Sequence, residues 1–214
     1  MTVIVVSGTD TGLGKTVFAA MLVRALDADY WKPIQSGTED GTDAGTVARL
    51  AEVDPKRILP ERYVLSQPLS PHRSAELDGI EIDVNALALP TTGERHVVVE
   101  GAGGLLVPLT RGTLFIDVFG QWAAPVILCA RTALGTINHT LLSVEALKTR
   151  GVPLLGIAFI GDAMPDSERT ITDFSGVRRL GRLPWLDQID GTTLDRAFAE
   201  NFNRADFIGG ASHA

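Results

Sequence analysis

Gly8-Thr9-Asp10-Thr11-Gly12-Leu13-Gly14-Lys15-Thr16 decides the fold. It follows an apolar, β-branched run, Val3-Ile4-Val5-Val6. It leads into Lys15–Leu26, where Val17, Met21, Leu22 and Leu26 recur at helical spacing. A strand, a glycine-rich turn and a helix in that order make an anion site. The glycines let the backbone curl with its amides inward, and the helix N-terminus adds partial positive charge. Gly12, Leu13, Gly14, Lys15, Thr16 and Val17 form this cradle for a nucleoside triphosphate. The Lys15 ammonium reaches the outer phosphates, and the Thr16 hydroxyl is placed for Mg²⁺. Gly8 and Gly14 stand one residue further apart than in the usual phosphate loop, but the strand, Gly-Lys-Thr and helix are all present.

Outward from this stretch, further short apolar runs recur at His96–Val99, Pro125–Cys129 and Leu154–Ile160. Runs without polar alternation indicate strands buried on both faces, as in a parallel sheet. Helical patterns lie between them at Asp43–Val53 and His139–Arg150, with Leu194–Phe202 as a last helix. The expected fold is α/β: an open, mostly parallel sheet with helices on both faces. Residues 54–95 are expected to add two helices and loops to the same domain. The whole chain, 1–214, is expected to be one domain, with residues 209–214 as a mobile tail.

The net charge of −7 disfavours nucleic acid and anionic membrane surfaces as partners. Cys129 is the single cysteine, so a disulfide framework or a cysteine zinc cage is excluded, and the residue itself reads as core. The first residues read as a strand and not as a secretory leader. The longest apolar stretch, 151–161, is too short to span a membrane. These features fit a reducing, cytoplasmic location.

Beyond the loop, Glu100 ends the run at His96 and is followed by Gly101-Ala102-Gly103-Gly104. An acid beyond a strand's carboxyl end can hold Mg²⁺, and the glycines admit phosphate to the backbone. Asp43 stands at a helix start, where a metal contact and a simple N-cap both fit. Lys32 closes the short strand Asp29–Lys32. It can aim at a transferring phosphoryl group, in which case its loss stops turnover without disturbing the fold; the spacing alone fits a surface lysine equally well. Ile34-Gln35-Ser36-Gly37 adds polar contacts. Thr136 or Asn138 reads as the N-cap of a helix whose first amides suit a carboxylate.

Seven ordered matches carry a family resemblance: Gly-Thr-Asp-Thr-x-x-Gly-Lys-Thr at 8–16, Lys-Pro-x-x-Ser-Gly at 32–37, Asp-Ala at 43–44, Ser-Pro-His at 70–72, Val-Glu-Gly-Ala-Gly-Gly-Leu at 99–105, Leu-Gly-x-x-Asn-His at 134–139 and Gly-x-x-Pro-Trp-Leu at 181–186. The chain resembles the dethiobiotin synthetases, ligases of biotin biosynthesis with a P-loop NTPase type of fold. The resemblance implies ring closure on 7,8-diaminononanoate with CO₂, ATP and Mg²⁺, through a carbamate and a carbamic-phosphoric anhydride. It implies that Lys15 and Lys32 steady carbamate and phosphates, and that Thr16, Asp43 and Glu100 surround the metal. Thr11 and Ser36 then touch substrate or carbamate, and Gly101, Ala102 and Gly103 border the nucleotide. Gly135, Thr136, Ile137 and Asn138 hold the substrate carboxylate from the neighbouring subunit of a homodimer, and Pro184 and Trp185 lie near the base. Many members read the purine with an asparagine where this chain has Gly161, so loose base selection is expected. The alternative is a switch ATPase of the partition or division-site type acting on a protein partner. Such proteins carry a second lysine where Asp10 stands here.

Overall fold

The computed structural model describes residues 1–39, 41–91 and 93–208. The expected mobile tail, 209–214, lies outside the described residues. Seven parallel strands form the main sheet, in the order β4-β2-β6-β1-β7-β8-β9. They are β1 (Val3–Gly8), β2 (Asp29–Trp31), β4 (Ile58–Leu59), β6 (Val97–Glu100), β7 (Val126–Arg131), β8 (Leu154–Ile160) and β9 (Arg179–Leu183).

The unbroken apolar runs follow from burial on both faces. Ile4 and Val6 of β1 enter one core, with Phe18 and Leu22 of α1 (Lys15–Leu26), Val47 of α2 (Asp43–Ala51) and Leu194 of α7 (Gly191–Asn201). Val5, between them, enters the other. There it joins Phe115 and Phe119 of α4 (Phe115–Trp122), Leu147 of α5 (Thr136–Thr149) and Ile171 of α6 (Pro165–Ser175). Cys129 of β7 belongs to the first core, as its sequence context suggests. Burial pushes its thiol well above the ordinary range, which makes it a poor nucleophile.

Topology then places the site. From β1 the chain crosses to β2, returns as β6 on one side of β1, and continues as β7 on the other. Such a switch point opens a crevice beyond the carboxyl ends of the strands.

Several expectations change. Residues 54–95 hold one α-helix, α3 (Pro71–Asp78), two 3-10 turns and the short strands β4 and β5 (Tyr63–Leu65), where two helices were expected. Prolines at 55, 60, 68, 71 and 90 break any longer helix. β5 pairs with β3 (Ile34–Ser36) in a separate two-stranded parallel sheet. α2 ends at Ala51 because Glu52 turns left-handed. α5 starts at Thr136, three residues before the His139 that the pattern indicated, and α7 starts at Gly191 behind an Asp190 cap. α4, α6 and β9 had no sequence expectation.

Candidate active site

Gly14 caps α1 in a left-handed conformation, φ 101°, which turns the loop back over β1. Inside it the Lys15 ammonium donates to the Asp10 carbonyl at 2.7 Å. Burial lowers the pKa of Lys15 from the usual lysine value, and nearby Glu100 only partly opposes this. Lys15 is therefore a cation short of a full counter-charge at the mouth of an anion cradle.

Beyond β6 and β2 the chemistry is denser. Glu100 is 1 % exposed. One of its oxygens, Oε1, accepts from the Thr16 hydroxyl at 2.9 Å and from Lys32 Nζ at 3.1 Å. The other, Oε2, accepts from the Tyr30 hydroxyl at 2.9 Å. Asp43 Oδ1 accepts from Thr16 at 3.0 Å, and Asp43 Oδ2 meets Lys32 Nζ at 2.7 Å. The helix cap at this point is Thr42, whose hydroxyl accepts from the Gly45 amide. Asp43 is the first helical residue and its carboxylate is free for the site, so the cap-only reading falls.

The surface reading of Lys32 falls too, since the residue is 3 % exposed. Burial works against its charge, but Glu100 and Asp43 outweigh burial and raise its pKa. For Asp43 burial is likewise overcome, by Lys32, so its carboxyl sits below the ordinary range. Tyr30 is held far above the usual phenol value by burial and by the Glu100 charge.

Three oxygens, from Thr16, Asp43 and Glu100, thus converge. Thr16 has one hydroxyl proton and cannot fully satisfy both carboxylates. Mg²⁺ usually takes one or two protein carboxylates and completes its shell with water and phosphate oxygens, so this donor set fits it. Among the described residues no group of three or more His, Cys, Asp and Glu side chains forms a metal site.

A cavity of about 440 Å³ opens over this cluster, lined by Thr11, Lys32, Ser36, Asp43, Ser70 and Gly103. The Ser36 hydroxyl is buried and finds no hydrogen-bond partner among the described residues. Gln35 braces the wall, accepting from the Asp43 amide and donating to the Gly37 carbonyl. A second cavity of about 310 Å³ adjoins it through Thr11 and Val107 and reaches Leu142 and Ser143 of α5.

The chain thus gathers Thr11, Lys15, Thr16, Lys32, Ser36, Asp43 and the 100–103 stretch. It leaves two expected groups apart. Gly135 to Asn138 lie at the start of α5 and line neither cavity. Gly135 is the N-cap, without a side-chain bond, so the expected Thr136 or Asn138 cap is not formed. The Thr136 hydroxyl instead pairs with Thr140. Gly161, Pro184 and Trp185 form the other group, beyond β8 and β9. Gly161 has φ 123°, and a Cβ there would come within 2.4 Å of the Thr132 hydroxyl oxygen. Its amide donates to the Leu183 carbonyl and its carbonyl accepts from Arg182. Trp185 is 59 % exposed beside it.

Sequence reasoning missed Tyr30, Ser70 and Arg131, which donates to the Gly12 carbonyl at 3.3 Å. Tyr30 carried a legible signal, because residues two apart on a strand share a face and Lys32 follows it.

The family profile described as an AAA domain matches residues 2–193. Two ATP-dependent dethiobiotin synthetases BioD illustrate the closer similarity. That of Rhodopseudomonas palustris strain TIE-1 is 62% identical over 208 residues, covering 97% of this chain and 98% of its own. That of Brucella anthropi is 58% identical, covering 97% of each. Among solved structures, the MinC:MinD cell division protein complex of Aquifex aeolicus superposes with a TM-score of 0.55 at 13% identity, over 92% of this chain and 86% of the other. The septum site-determining protein MinD of Pyrococcus horikoshii OT3 gives 0.53 at 15%, over 98% and 97%. At that distance the structures speak for the P-loop NTPase fold alone. No described helix is long and apolar enough to cross a membrane. With the sequence matched almost end to end, and the loop, the second lysine and the paired acids meeting in one crevice, the chain belongs to the ATP-dependent dethiobiotin synthetases.

Proposed function

We propose that the chain carboxylates 7,8-diaminononanoate with CO₂ and closes the ureido ring of dethiobiotin, consuming ATP and releasing ADP and phosphate. The observation that carries this reading is the Lys32–Asp43–Glu100 cluster, set against the phosphate loop at the edge of a substrate-sized cavity. One substrate amine adds to CO₂, losing a proton to give a carbamate. A carbamate oxygen attacks the γ-phosphorus as ADP leaves. The second amine attacks the carbonyl carbon, phosphate departs and a further proton is lost. Phosphoryl transfer of this kind needs positioning and charge neutralisation more than a protein nucleophile. Lys15 steadies the outer phosphates. Lys32 steadies the carbamate and the charge on the transferring group, while Thr11 and Ser36 orient the carbamate. Thr16, Asp43 and Glu100 would hold Mg²⁺, which neutralises phosphate charge when bound.

The whole chain, 1–214, acts as one synthetase unit in the cytoplasm, on small molecules, without nucleic acid or membrane partners. A homodimer completes the site. Leu142 and Leu106 are exposed at the second cavity, Leu134 is exposed just before α5, and the first turn of α5, Gly135 to Asn138, would hold a substrate carboxylate across the interface. The base rests near Gly161, Pro184 and Trp185. Gly161 has committed both backbone groups and has no room for an amide side chain, so other triphosphates also serve. No observation favours a partner-directed switch ATPase, since the MinD likeness is one of fold.

The test is incubation of the purified protein with diaminononanoate, bicarbonate and Mg-ATP, followed by mass spectrometry. Dethiobiotin that needs every component supports the reading; bound ATP without product counts against it.

A further inference from the structure

Ser70 is the N-cap of α3, yet its hydroxyl makes no capping bond. Serine is favoured at that position because its oxygen accepts from the first-turn amides. Here the hydroxyl meets His72 Nδ1 at 3.1 Å, and the first-turn amides of His72 and Arg73 go to the Pro108 and Ser70 carbonyls instead. Ser70 also lines the cavity of Lys32, Ser36 and Thr11. His72 lines a different cavity, of about 330 Å³, with the exposed residues Glu76, Glu81 and Arg111. The pair therefore runs from the reaction cavity through the first turn of a helix to the outer surface.

The reaction supplies the need for such a path. An alkylamine is an ammonium at neutral pH and has no lone pair with which to attack CO₂. The carboxylates in the cavity are poor acceptors, because Asp43 and Glu100 are both held by Lys32 and Thr16. Imidazole is the side chain suited to accept a proton near neutrality.

We propose that Ser70 and His72 form a proton relay that deprotonates the amine substrate, a role that rests on the synthetase reading above. The ammonium N–H bond breaks as its proton passes to Ser70 Oγ, while the Ser70 hydroxyl proton passes to His72 Nδ1. The amine regains its lone pair, the serine ends as a hydroxyl, and the imidazolium releases a proton to water from Nε2. Ser70 is the catalytic residue that touches substrate; His72 acts through it. Arg73, Glu76, Arg111 and Glu81 are the charged groups around His72. Hydrogen bonds from Arg111 and then Arg73 hold the Glu76 carboxyl at about 2, so it stays ionised throughout a neutral assay.

The test measures dethiobiotin formation against pH for the full-length wild type, His72→Asn and Ser70→Ala, with ATP affinity as the check on folding. Asparagine keeps a hydrogen-bond partner for Ser70 but takes no proton, so a merely structural role survives it. With wild-type ATP affinity, both variants should lose about 10²-fold in kcat near pH 7. Both should recover to within a few-fold of wild type near pH 9, where more of the amine is already free. A loss that is the same at every pH, or no loss, overturns the relay while the wild type still makes dethiobiotin. A wild type that makes none overturns the synthetase reading and the relay with it.

Discussion

The crevice beyond β6 and β2 and the ledge beyond β8 and β9 lie at the same edge of one sheet and are built in opposite ways. At the first, a buried acid, a half-buried acid, a buried lysine, a tyrosine and a threonine are tied together, each charge with an internal partner. At the second, a glycine has spent its backbone groups on Leu183 and Arg182 of β9, and the side chain beside it is an exposed indole. On the synthetase reading proposed above, a site with this contrast selects for charge, holding phosphate, metal and carbamate and merely accommodating the base.

The most disruptive way to break the charged end is Lys32→Gln. Loss of such an electrostatic contact should lower turnover by ~10²–10³. The sequence alone suggests that the fold is spared, but the structure says otherwise. Stranding buried Glu100 and half-buried Asp43 without their cation should cost about 3–5 kcal/mol, measured by urea unfolding at neutral pH. The sign of its pH dependence follows from Asp43. A carboxyl depressed by Lys32 contributes stability above the ordinary carboxylate range and loses it as pH falls through the folded value. The gap between variant and wild type should therefore hold down to about pH 4 and narrow below it. A gap that stays constant as the pH falls well below about 4 would show that Lys32 does not hold Asp43 ionised.

Lys15→Met breaks the same end in a different manner. Lys15 has a lowered pKa, so its charge opposes folding at neutral pH, and the fold should be no less stable without it. Triphosphate affinity should fall by about 10–100-fold in calorimetry, the value of a hydrogen bond to a charged group. A variant that unfolds more easily than wild type would mean that Lys15 is structural. Glu100→Gln keeps the hydrogen-bonding shape and removes one charge, so the Mg²⁺ needed for half-maximal turnover should rise by ~10-fold or more. An unchanged Mg²⁺ titration would remove Glu100 from the metal site.

The charged end was also the more legible one. Val3 to Thr16 announces strand, turn and helix through local rules, and Lys32 follows one strand while Glu100 ends another. What local rules could not supply was long-range. Nothing in the sequence says that Thr42 takes the cap and frees Asp43, or that Tyr30 reaches Glu100 across 70 positions. The stretch 54–95 defeated reading for the opposite reason. Its strands are two and three residues long, shorter than any periodicity test, and β5 exists because β3 is there to pair with it. The start of α5 was misplaced because glycine at φ 91° caps it, ahead of the polar Thr136 and Asn138 that local capping rules favour.

The ledge yields the smallest expected effect. Trp185→Ala removes an exposed indole whose stacking on a base is worth about 1–3 kcal/mol in buried settings, and the low end applies here. Affinity for ATP should fall by roughly fivefold, at about 1 kcal/mol. Stacking uses the face that every base has, so CTP and GTP should lose the same factor. The comparison sharpens if the wild type already binds the three triphosphates within about tenfold of one another and Trp185→Ala weakens them in parallel. It breaks if ATP alone is bound well, or if ATP alone suffers. Either result would require a group that reads the purine edge, and Gly161, with its amide on Leu183 and its carbonyl on Arg182, could serve only by giving up a bond to β9.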